Sequence, residues 1–307
     1  MEEGFDLWAN PSSPHGEGRR AKNALEDARA RIKASLGWEG EVIFTSGASE
    51  ALWIALNRAK ATRQIVSAVE HDAVFRAAPD AEMVADGTHF DTDAIVAVQY
   101  VNSETGTLNP VSDMAATIRL TGASVVSDCA QSAGKIDLPD ADMVVVSAHK
   151  FGGPIGIGAL LLRDFNLLHP MGGHERGYRQ GTENVPAALG MAAALEAGDW
   201  ATTAKDRADF ASDLAGSRVI IGEQVDYIFA LSHPAMSAQA LLIRLDAMGF
   251  AVSAGSACSS GTLKKSRVLD AFGVSDEVAA RTIRVSLGWN TTTAQLDAFL
   301  EAWRSLL

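Results

Sequence analysis

Short runs of β-branched and other apolar residues alternate with helical segments along the first two thirds of the chain. Runs of this length are typical of strands buried on both faces, and their alternation with helices predicts a mostly parallel sheet flanked by helices. We therefore expect an α/β fold. The predicted strands are Glu41–Phe44, Gln64–Val69, Ala94–Val101, Ser124–Ser127, Met143–Ser147 and Gly158–Leu162, and the predicted helices are Arg19–Leu36, Ala51–Lys60 and Val111–Leu120.

The last third of the chain predicts a second, smaller domain. A chain of 307 residues is long enough for two compact domains. We predict a large domain over residues 1–190 and a small α+β domain over residues 191–307, joined by an Ala-rich helix over Asn184–Phe210. The predicted elements of the small domain are strands at Arg218–Ile221, Tyr227–Leu231 and Phe250–Ser253 and helices at Ser237–Met248 and Thr293–Leu306.

The charge and the apolar content restrict the possible ligands and locations. The formal net charge is −12, which repels phosphate backbones and anionic lipid, so nucleic acid and membrane surfaces are not expected as main ligands. No apolar run reaches the roughly 18 residues that span a membrane. The acidic start, Met1–Asp6, does not resemble a signal peptide, so we expect a cytoplasmic protein.

The two cysteines occur in very different surroundings. Two thiols in a chain of this length do not make a disulfide framework. Cys129 follows the apolar run Ser124–Asp128, so we expect it to be a buried structural thiol. Cys258 lies among small and polar residues over Ser253–Gly261, which predicts a loop, and an exposed thiol there suits catalysis better than structure.

Three polar features follow predicted strands or turns and together suit a cofactor. Lys150 follows the strand Met143–Ser147 and comes just before a glycine-rich stretch. Ligands bind at such strand ends in open α/β sheets. Alone it would be read as a surface lysine, but it also suits covalent attachment of pyridoxal phosphate (PLP). Asp128 ends the preceding strand and suits the pyridinium nitrogen of that cofactor. The turn Gly47–Ser49 before a helix suits its phosphate.

Ten short motifs extend this set along the chain. They are Asn10–Ser13, Phe44–Glu50, Val69–His71, Val101–Gly106, Asp128–Ser132, Ser147–Lys150, Gly172–Gly177, Gly181–Thr182, Gly255–Cys258 and Ile283–Gly288. In this order they resemble the cysteine desulfurases, within the class V aminotransferase group of fold-type-I PLP enzymes. The resemblance implies the fold of a fold-type-I PLP transferase, with the Cys258 loop and Arg284 in the small domain.

The resemblance also implies roles for individual residues. Lys150 would bond the cofactor, Asp128 its ring nitrogen and Gln131 its phenolic oxygen, and His71 would stack on the ring and assist proton transfer. The phosphate would be held by Ala48, Ser49, Ser147 and His149, with Thr182 reaching the phosphate of a second subunit in a homodimer. The substrate would be bound by Arg284, at its carboxylate, and by Asn102 and Ser103. Taken without the motifs, His71 reads as a core histidine and Arg284 as a structural ion pair. No metal site is expected.

The implied reaction converts L-cysteine to L-alanine. Lys150 would remove the α-proton, and the Cys258 thiolate would attack the sulfur and keep it as a persulfide. The stretch Cys258–Ser266 resembles the longer-loop branch of the family, which hands sulfur directly to an iron–sulfur scaffold or another carrier protein. A cytoplasmic sulfurtransferase that supplies iron–sulfur assembly or thiolation is therefore expected.

The chain departs from the family in three places, and these keep alternatives open. It starts nine residues before Asn10 and is identified as N-terminally shortened, which predicts a less closed substrate side. Ser103 replaces an asparagine common in the family, and the spacing from Lys150 to Thr182 is compact. The alternatives are a selenocysteine lyase, another class V PLP enzyme such as an aminotransferase relative, and a catalytically weak assembly subunit. A mobile thiol has no use in transamination, which argues against the aminotransferase.

Overall fold

The computed structural model describes residues 1–7, 9–84, 89–254 and 266–307. The chain forms two compact units. The first comprises Met1–Tyr100 and Pro110–Gly198, and the second comprises Val101–Asn109 and Asp199–Leu307. None of the described helices is both long enough and apolar enough to cross a membrane.

The first unit contains a seven-stranded sheet and six helices among the described residues. The strands are β1 (Glu41–Thr45), β2 (Arg63–Val66), β3 (Glu82–Met83), β4 (Ala94–Ala97), β5 (Ser124–Asp128), β6 (Met143–Ser147) and β7 (Gly158–Leu162). The helices are α1 (Glu2–Asp6), α2 (Gly16–Ser35), α3 (Ala48–Asn57), α4 (Asp72–Ala77), α5 (Val111–Arg119) and α6 (Val185–Glu196).

The strand order of this sheet is β1-β7-β6-β5-β4-β2-β3. Strands β2 to β6 pair in parallel, whereas β7 runs antiparallel to both of its neighbours. Gly158 at the start of β7 lies opposite Thr45 on one side and opposite Ser147 on the other. The predicted mostly parallel sheet flanked by helices is confirmed.

Both faces of the sheet are covered, which explains why its strands read as continuous apolar runs. Val144 and Val146 of β6 belong to one buried cluster, which also contains residues of α2, α5 and α6. Met143 and Val145 belong to a second cluster, with residues of α3 and α4. Successive side chains of a strand point to opposite faces, so β6 supplies both cores from one five-residue run.

The second unit is built around a three-stranded antiparallel sheet in the order β8-β10-β9. Arg284, in the central strand, lies opposite Ala230 of one neighbour and Ser253 of the other. The strands are β8 (Ile228–Ser232), β9 (Ser253–Ala254) and β10 (Thr282–Ser286), and the helices are α7 (Ala204–Asp213), α8 (Ala238–Ala247), α9 (Arg267–Ala271), α10 (Asp276–Ala279) and α11 (Thr293–Leu306).

Three predicted elements were wrong. The single helix over Asn184–Phe210 is two helices, because Thr203 forms a capping box with Asp206 and starts α7 anew. Arg218–Ile221 is not a strand, since only Arg218 forms an isolated bridge, with Leu231. Of the strand predicted over Phe250–Ser253, only Ser253 lies in a strand, because β9 spans Ser253–Ala254.

Several predicted boundaries also moved. Helix α3 starts at Ala48 and ends at Asn57, three residues earlier at each end than predicted, so the turn before it is only Ser46 and Gly47. The predicted strands Gln64–Val69 and Ala94–Val101 both end earlier, at Val66 and Ala97. The residues beyond those two strand ends form turns and loops.

Candidate active site

The turn between β1 and α3 exposes the start of a ten-residue helix. Gly47 is its N-cap, with φ 152° and ψ −177°, a conformation that residues with a Cβ rarely adopt. No side chain caps the helix at this point, and a Cβ built on Gly47 would have no atom within 4 Å. Backbone N–H groups at such a helix start carry partial positive charge, so Ala48 and Ser49 border open space that suits an anion.

A close backbone approach joins this turn to β7. A Cβ added to Gly158 would lie 2.5 Å from the carbonyl oxygen of Val146 and 2.8 Å from the Cα of Gly47. A glycine is therefore required at residue 158. The glycine-rich stretch after Lys150 thus has a packing purpose, since it lets the helix start lie against the end of β6.

Asp128 is a buried carboxylate at the end of β5. Its Oδ1 accepts a hydrogen bond of 2.9 Å from the backbone N–H of Ala130. Burial raises the pKa of the Asp128 carboxyl above its ordinary value, while the Ala130 N–H and the charges of His71 and Lys150 act in the opposite direction. The structure therefore brings Asp128, His71 and Lys150 within electrostatic reach of one another.

Lys150 lies in a short 3-10 turn, Ala148–Phe151, directly after β6. Its side chain is exposed, as is that of the adjacent His149, whereas Ser147 is buried. The Oγ of Ser147 and the Nδ1 of His149 are 3.0 Å apart and hydrogen-bonded. Desolvation, followed by the charge of Lys150, lowers the pKa of His149, so this imidazole is favoured in its neutral form.

His71 is not a core histidine, because its residue is exposed. It is the N-cap of α4, and its Nδ1 accepts a hydrogen bond of 3.1 Å from the N–H of Ala73. This acceptor role leaves the ring proton on Nε2 in the neutral form. The helix start therefore fixes both the tautomer and the orientation of the imidazole.

Gln131 and Lys135 lie in the turn that follows Asp128. Both are half-buried, and the Nζ of Lys135 donates a hydrogen bond of 3.2 Å to the backbone oxygen of Gln131. The sequence prediction did not single out Lys135. Lys135 lies only seven residues after Asp128, just beyond the motif Asp128–Ser132. That proximity in sequence was the signal that could have identified it.

The loop that carries Thr182 is anchored by a buried ion pair. The guanidinium of Arg29 bonds the Glu175 carboxylate at 2.8 and 3.1 Å and also donates to the carbonyl oxygen of Val42 at 2.6 Å. Glu175 in turn accepts from the N–H of Phe44 at 2.8 Å. Burial alone would lower the pKa of Arg29, but the Glu175 hydrogen bond and charge raise it above its ordinary value.

This ion pair forms hydrogen bonds with the outer edge of β1, which is the end strand of the sheet. The carbonyl and N–H groups that a further strand would have bonded are bonded by side chains instead. The loop beyond is tightly turned, since Glu175 and Arg176 have φ of 47° and 57°. Thr182 itself is exposed on the unit's surface. The sequence prediction named the motif Gly172–Gly177 but did not foresee this anchor.

Arg284 is the central cation of the second unit. Its Nη1 donates to the backbone oxygen of Ser103 at 3.0 Å and its Nη2 to the Oγ of Ser253 at 3.1 Å. Desolvation lowers the pKa of Arg284, and the charge of Glu104 opposes this. These bonds fix the plane of the guanidinium and hold it beside Ser103. Among the described residues, they occupy two of its five N–H donors.

Asn102 has a local structural use. Its Oδ1 accepts hydrogen bonds from the N–H groups of Glu104 and Thr105 and from the Thr105 hydroxyl, at 2.9 to 3.1 Å. The residue is fully buried. This Asx-turn shapes the hairpin that presents the Ser103 carbonyl to Arg284. Glu104 of the same hairpin accepts a 2.5 Å hydrogen bond from the Ser266 hydroxyl.

The structure describes one of the two cysteines, Cys129. Cys129 is fully buried, and burial raises the pKa of its thiol to about 12, so the prediction of a structural thiol is confirmed. Cys258 lies in residues 255–265, outside the described residues, and its catalytic role stays a prediction. Among the described residues no cluster of three or more His, Cys, Asp or Glu could hold a metal ion.

A family model for class V aminotransferases matches residues 2–86 and 83–299, and the chain therefore belongs to the class V aminotransferase family of PLP-dependent enzymes. A curated relative, the cysteine desulfurase of Cereibacter sphaeroides, is 35% identical over 338 aligned positions, covering 96% of this chain and 87% of the relative. The alignment has more positions than the chain has residues, so the relative contains segments that this chain lacks.

Solved structures agree with this relationship. A structure titled "NIFS-LIKE PROTEIN" superposes with a TM-score of 0.84 at 28% identity, covering 100% of this chain and 95% of that one. Another, titled "SspA in complex with cysteine", superposes with a TM-score of 0.78 at 26% identity, covering 94% of this chain and 93% of that one.

The residues of the first unit fit the PLP cofactor of this family. The open space at Gly47 lies at a helix start and suits a phosphate. The buried Asp128 carboxylate suits a protonated ring nitrogen, because an adjacent cation would offset its burial cost. Lys150 is exposed directly after β6, where an amine suits covalent attachment of an aldehyde. Each of these features matches a different part of the cofactor.

Proposed function

We propose that this chain is a PLP-dependent cysteine desulfurase that converts L-cysteine to L-alanine and leaves the sulfur as a persulfide on Cys258. The observation that carries the proposal is the electrostatic grouping of Asp128, His71 and Lys150 at the strand ends of a class V aminotransferase sheet. The relatives support the substrate, since a curated one is named cysteine desulfurase and a solved one was captured with cysteine.

The first unit would hold the cofactor. Lys150 would attach it, Asp128 would bond its ring nitrogen and Gln131 its phenolic oxygen. His71 would cover the ring face, with its neutral tautomer set by the N–H of Ala73. The phosphate would be held by the start of α3, at Ala48 and Ser49, and by the hydrogen-bonded side chains Ser147 and His149. When bound, PLP supplies an electron sink for negative charge at the substrate's α-carbon.

The chain's own groups would carry the proton and sulfur transfers. The Nζ of Lys150 would take the α-proton of cysteine. The Cys258 thiolate would attack the substrate sulfur, forming a sulfur–sulfur bond as the carbon–sulfur bond breaks. The bonding electrons stay with the carbon, which becomes the methyl group of alanine after protonation. The carbon is reduced as the sulfur is oxidised to the persulfide level, so no external oxidant is needed.

Arg284 would bind the substrate carboxylate. Its guanidinium is held by Ser103 and Ser253, and within the part of the chain that the structure describes its other N–H donors make no hydrogen bond, which suits a bidentate contact. Asn102 would support this site through its turn, and Ser103 through its backbone carbonyl. We assign cofactor binding to residues 1–190 and the Cys258 loop with Arg284 to residues 191–307.

The wider context is also part of the proposal. Thr182 is exposed, which suits a contact with the phosphate of a second subunit in a homodimer. The persulfide would pass to an iron–sulfur scaffold or another acceptor protein, for cluster assembly or thiolation. A cytoplasmic location remains a prediction from the sequence. A selenocysteine lyase and a catalytically weak assembly subunit are not favoured, because the curated relatives are named cysteine desulfurases.

The decisive test compares wild type, Cys258→Ala and Lys150→Ala with L-cysteine and a thiol reductant. Wild type should release sulfide and alanine in equal amounts. Cys258→Ala should retain the visible absorbance of the lysine-bound cofactor but lose at least a thousandfold in sulfide release, while Lys150→Ala should lose both.

Cys129→Ala serves as the matched control, because that thiol is buried and favoured in its protonated form. It should leave sulfide release within about twofold of wild type. A Cys258→Ala variant that is as active as wild type would disprove the nucleophile. Binding of the cofactor without any sulfide release from wild type would favour the assembly subunit.

A further inference from the structure

The exposed residue Thr182 has neighbours that are held in place on both sides. On one side, the carbonyl oxygen of Gly181 accepts a hydrogen bond of 3.3 Å from the Nη1 of Arg179. On the other side, the carboxylate of Glu183 is bonded through both of its oxygens, and the side chain of Asn184 caps the start of α6. The backbone is therefore fixed around a side chain that itself faces outward.

The carboxylate of Glu183 makes the deepest of these contacts. Its side chain is only 8% exposed. Its Oε2 lies 3.0 Å from the Nδ1 of His174, and its Oε1 accepts from the N–H of Glu175 at 3.3 Å. A carboxylate only accepts, so the Nδ1 of His174 donates this bond and carries the hydrogen. The pair ties the residue next to Thr182 to the loop Gly172–Gly177.

Two sequence motifs that have no place in the proposed cofactor site meet at His174. The first is Gly172–Gly177, which contains His174 and is anchored to β1 by a buried ion pair. The second is Asn10–Ser13, in which the Ser12 hydroxyl lies 3.5 Å from the Nδ1 of His174. The Oδ1 of Asn10 accepts from the N–H of Ser12 at 2.9 Å and shapes that turn. Both motifs therefore hold the same imidazole.

An exposed side chain on a fixed loop suits a contact with a group that lies outside its own chain. Ordering a loop at the moment of binding costs conformational entropy, and a loop that is already ordered avoids this cost. A hydroxyl that must reach a ligand held by another chain gains from such preorganisation. Thr182 is in this position, because Glu183 and Gly181 are held while its own residue is exposed.

We propose that His174 and Glu183 are positioning residues that present the Thr182 hydroxyl to the PLP phosphate of a second subunit. The inference rests on the proposed homodimer, in which Thr182 contacts that phosphate. His174 and Glu183 do not touch the cofactor and act through Thr182. The motifs Asn10–Ser13 and Gly172–Gly177 then serve the cofactor site of the second subunit and not that of their own chain.

The test measures the release of PLP from the loaded protein. Alkaline phosphatase destroys the released PLP, and the loss of visible absorbance gives the rate. Thr182→Val should release PLP about tenfold faster than wild type, the scale of one hydrogen bond to a charged group. His174→Leu removes the donor to Glu183 and should give an increase of the same order. His174→Gln keeps a side-chain N–H and should release PLP at nearly the wild-type rate.

A double substitution shows whether His174 acts through Thr182. In a chain that already carries Thr182→Val, His174→Leu should cause no further increase in the rate. Two effects that simply multiply would overturn the inference. Glu196→Gln is the matched control, because Glu196 also pairs with a cation, Arg31, but is exposed at the end of α6. It should not change the rate.

Mixed dimers, isolated with two affinity tags, show whether the contact crosses between subunits. Lys150→Ala prevents attachment, so in a mixed dimer only the chain with Lys150 holds the cofactor. His174→Leu should speed release when it lies on the Lys150→Ala chain, and it should have no effect on the chain that holds the cofactor. The opposite pattern would place the contact within one chain and overturn the inference.

Failure of the proposed dimer has a different signature. If loaded wild type sediments as a monomer, or if Thr182→Val releases PLP no faster than wild type, the proposed role of Thr182 fails and the inference fails with it. If Thr182→Val is fast and His174→Leu is not, only the inference fails. Rates are compared at concentrations where sedimentation shows every variant to be a dimer, so that separation of the subunits does not contribute.

Discussion

The first and second units hold their candidate site residues in different ways. In the first unit, Asp128 and Lys150 follow the ends of neighbouring parallel strands, β5 and β6, which are buried on both faces. In the second unit, Arg284 lies within a three-stranded sheet and is oriented by hydrogen bonds to Ser103 and Ser253. A large core therefore positions the first set, whereas a few polar contacts position the second.

The comparison predicts that stability and catalysis in the first unit depend on its buried charged groups. In the second unit, substrate binding should depend on hydrogen-bond geometry. A buried charge that loses its partner costs several kcal/mol, whereas loss of one half-exposed hydrogen bond costs about 1 kcal/mol. Substitutions of interior charged groups should therefore have the larger effects.

Glu175→Gln should lower the free energy of unfolding by about 3 kcal/mol, because it removes the buried carboxylate that pairs with the Arg29 guanidinium and leaves only the more exposed Glu26 as its counter-charge. Urea denaturation of the cofactor-free protein, followed by circular dichroism, measures this. The exposed pair Lys205–Asp209 is the control, and Lys205→Met should change stability by less than about 0.5 kcal/mol. Equal effects of the two substitutions would remove the contrast between interior and surface charge.

Asp128→Asn should lower kcat by about a hundredfold, the usual scale for losing one preorganised electrostatic contact to the reacting group. Visible absorbance should still show the cofactor bound to Lys150. Asp142→Asn is the matched control, because Asp142 is a buried carboxylate next to the opposite end of β6 and pairs with Arg119. A larger loss of kcat in Asp142→Asn than in Asp128→Asn would contradict the assignment of the strand ends.

Arg284→Lys should lower kcat/KM for cysteine by about tenfold, mainly through KM, since an ammonium cannot make the bidentate contact of a guanidinium. Steady-state sulfide assays give both constants. Arg281→Lys provides the control, because Arg281 precedes the same strand but pairs with Glu277. A fall in kcat with unchanged KM would assign Arg284 to the chemical step instead of carboxylate binding.

The sequence predicted the strand-end residues well for a physical reason. β5 and β6 are continuous apolar runs because both faces of the sheet are covered, so Asp128 and Lys150 stand out at the points where polar residues begin. These signals are local in sequence. The same reasoning placed a phosphate-binding turn at Gly47–Ser49, although α3 begins at Ala48, three residues before the predicted helix start at Ala51.

The features that the sequence did not predict depend on contacts between distant segments. Arg29 and Glu175 are 146 residues apart, and nothing in either local pattern announces their pairing. Lys135 lies in a turn whose Gly134 packs against Phe151, the residue after Lys150, and this contact joins segments that are not adjacent in sequence. Asn102 was predicted to touch substrate, yet its amide oxygen is engaged within its own turn. Local patterns carry no information on which side chains meet across the core.

The antiparallel strand β7 acts as a fixed spacer. Gly158 lies between Thr45 and Ser147, so these two strand ends, of β1 and β6, are separated by two inter-strand distances. Each of these is about 4.8 Å, which makes a gap of about 10 Å. That gap is set by backbone hydrogen bonds and not by any side chain or loop.

The spacing between β1 and β6 is therefore independent of the lengths of the loops outside the sheet. The chain lacks segments that its longer relative contains, and loops outside the sheet are where such differences are tolerated. Neither shortening nor extending a surface loop alters the separation of two strands held by a third. The strand ends that lead into α3 and into the turn of Lys150 therefore keep their spacing whatever the lengths of the loops around them.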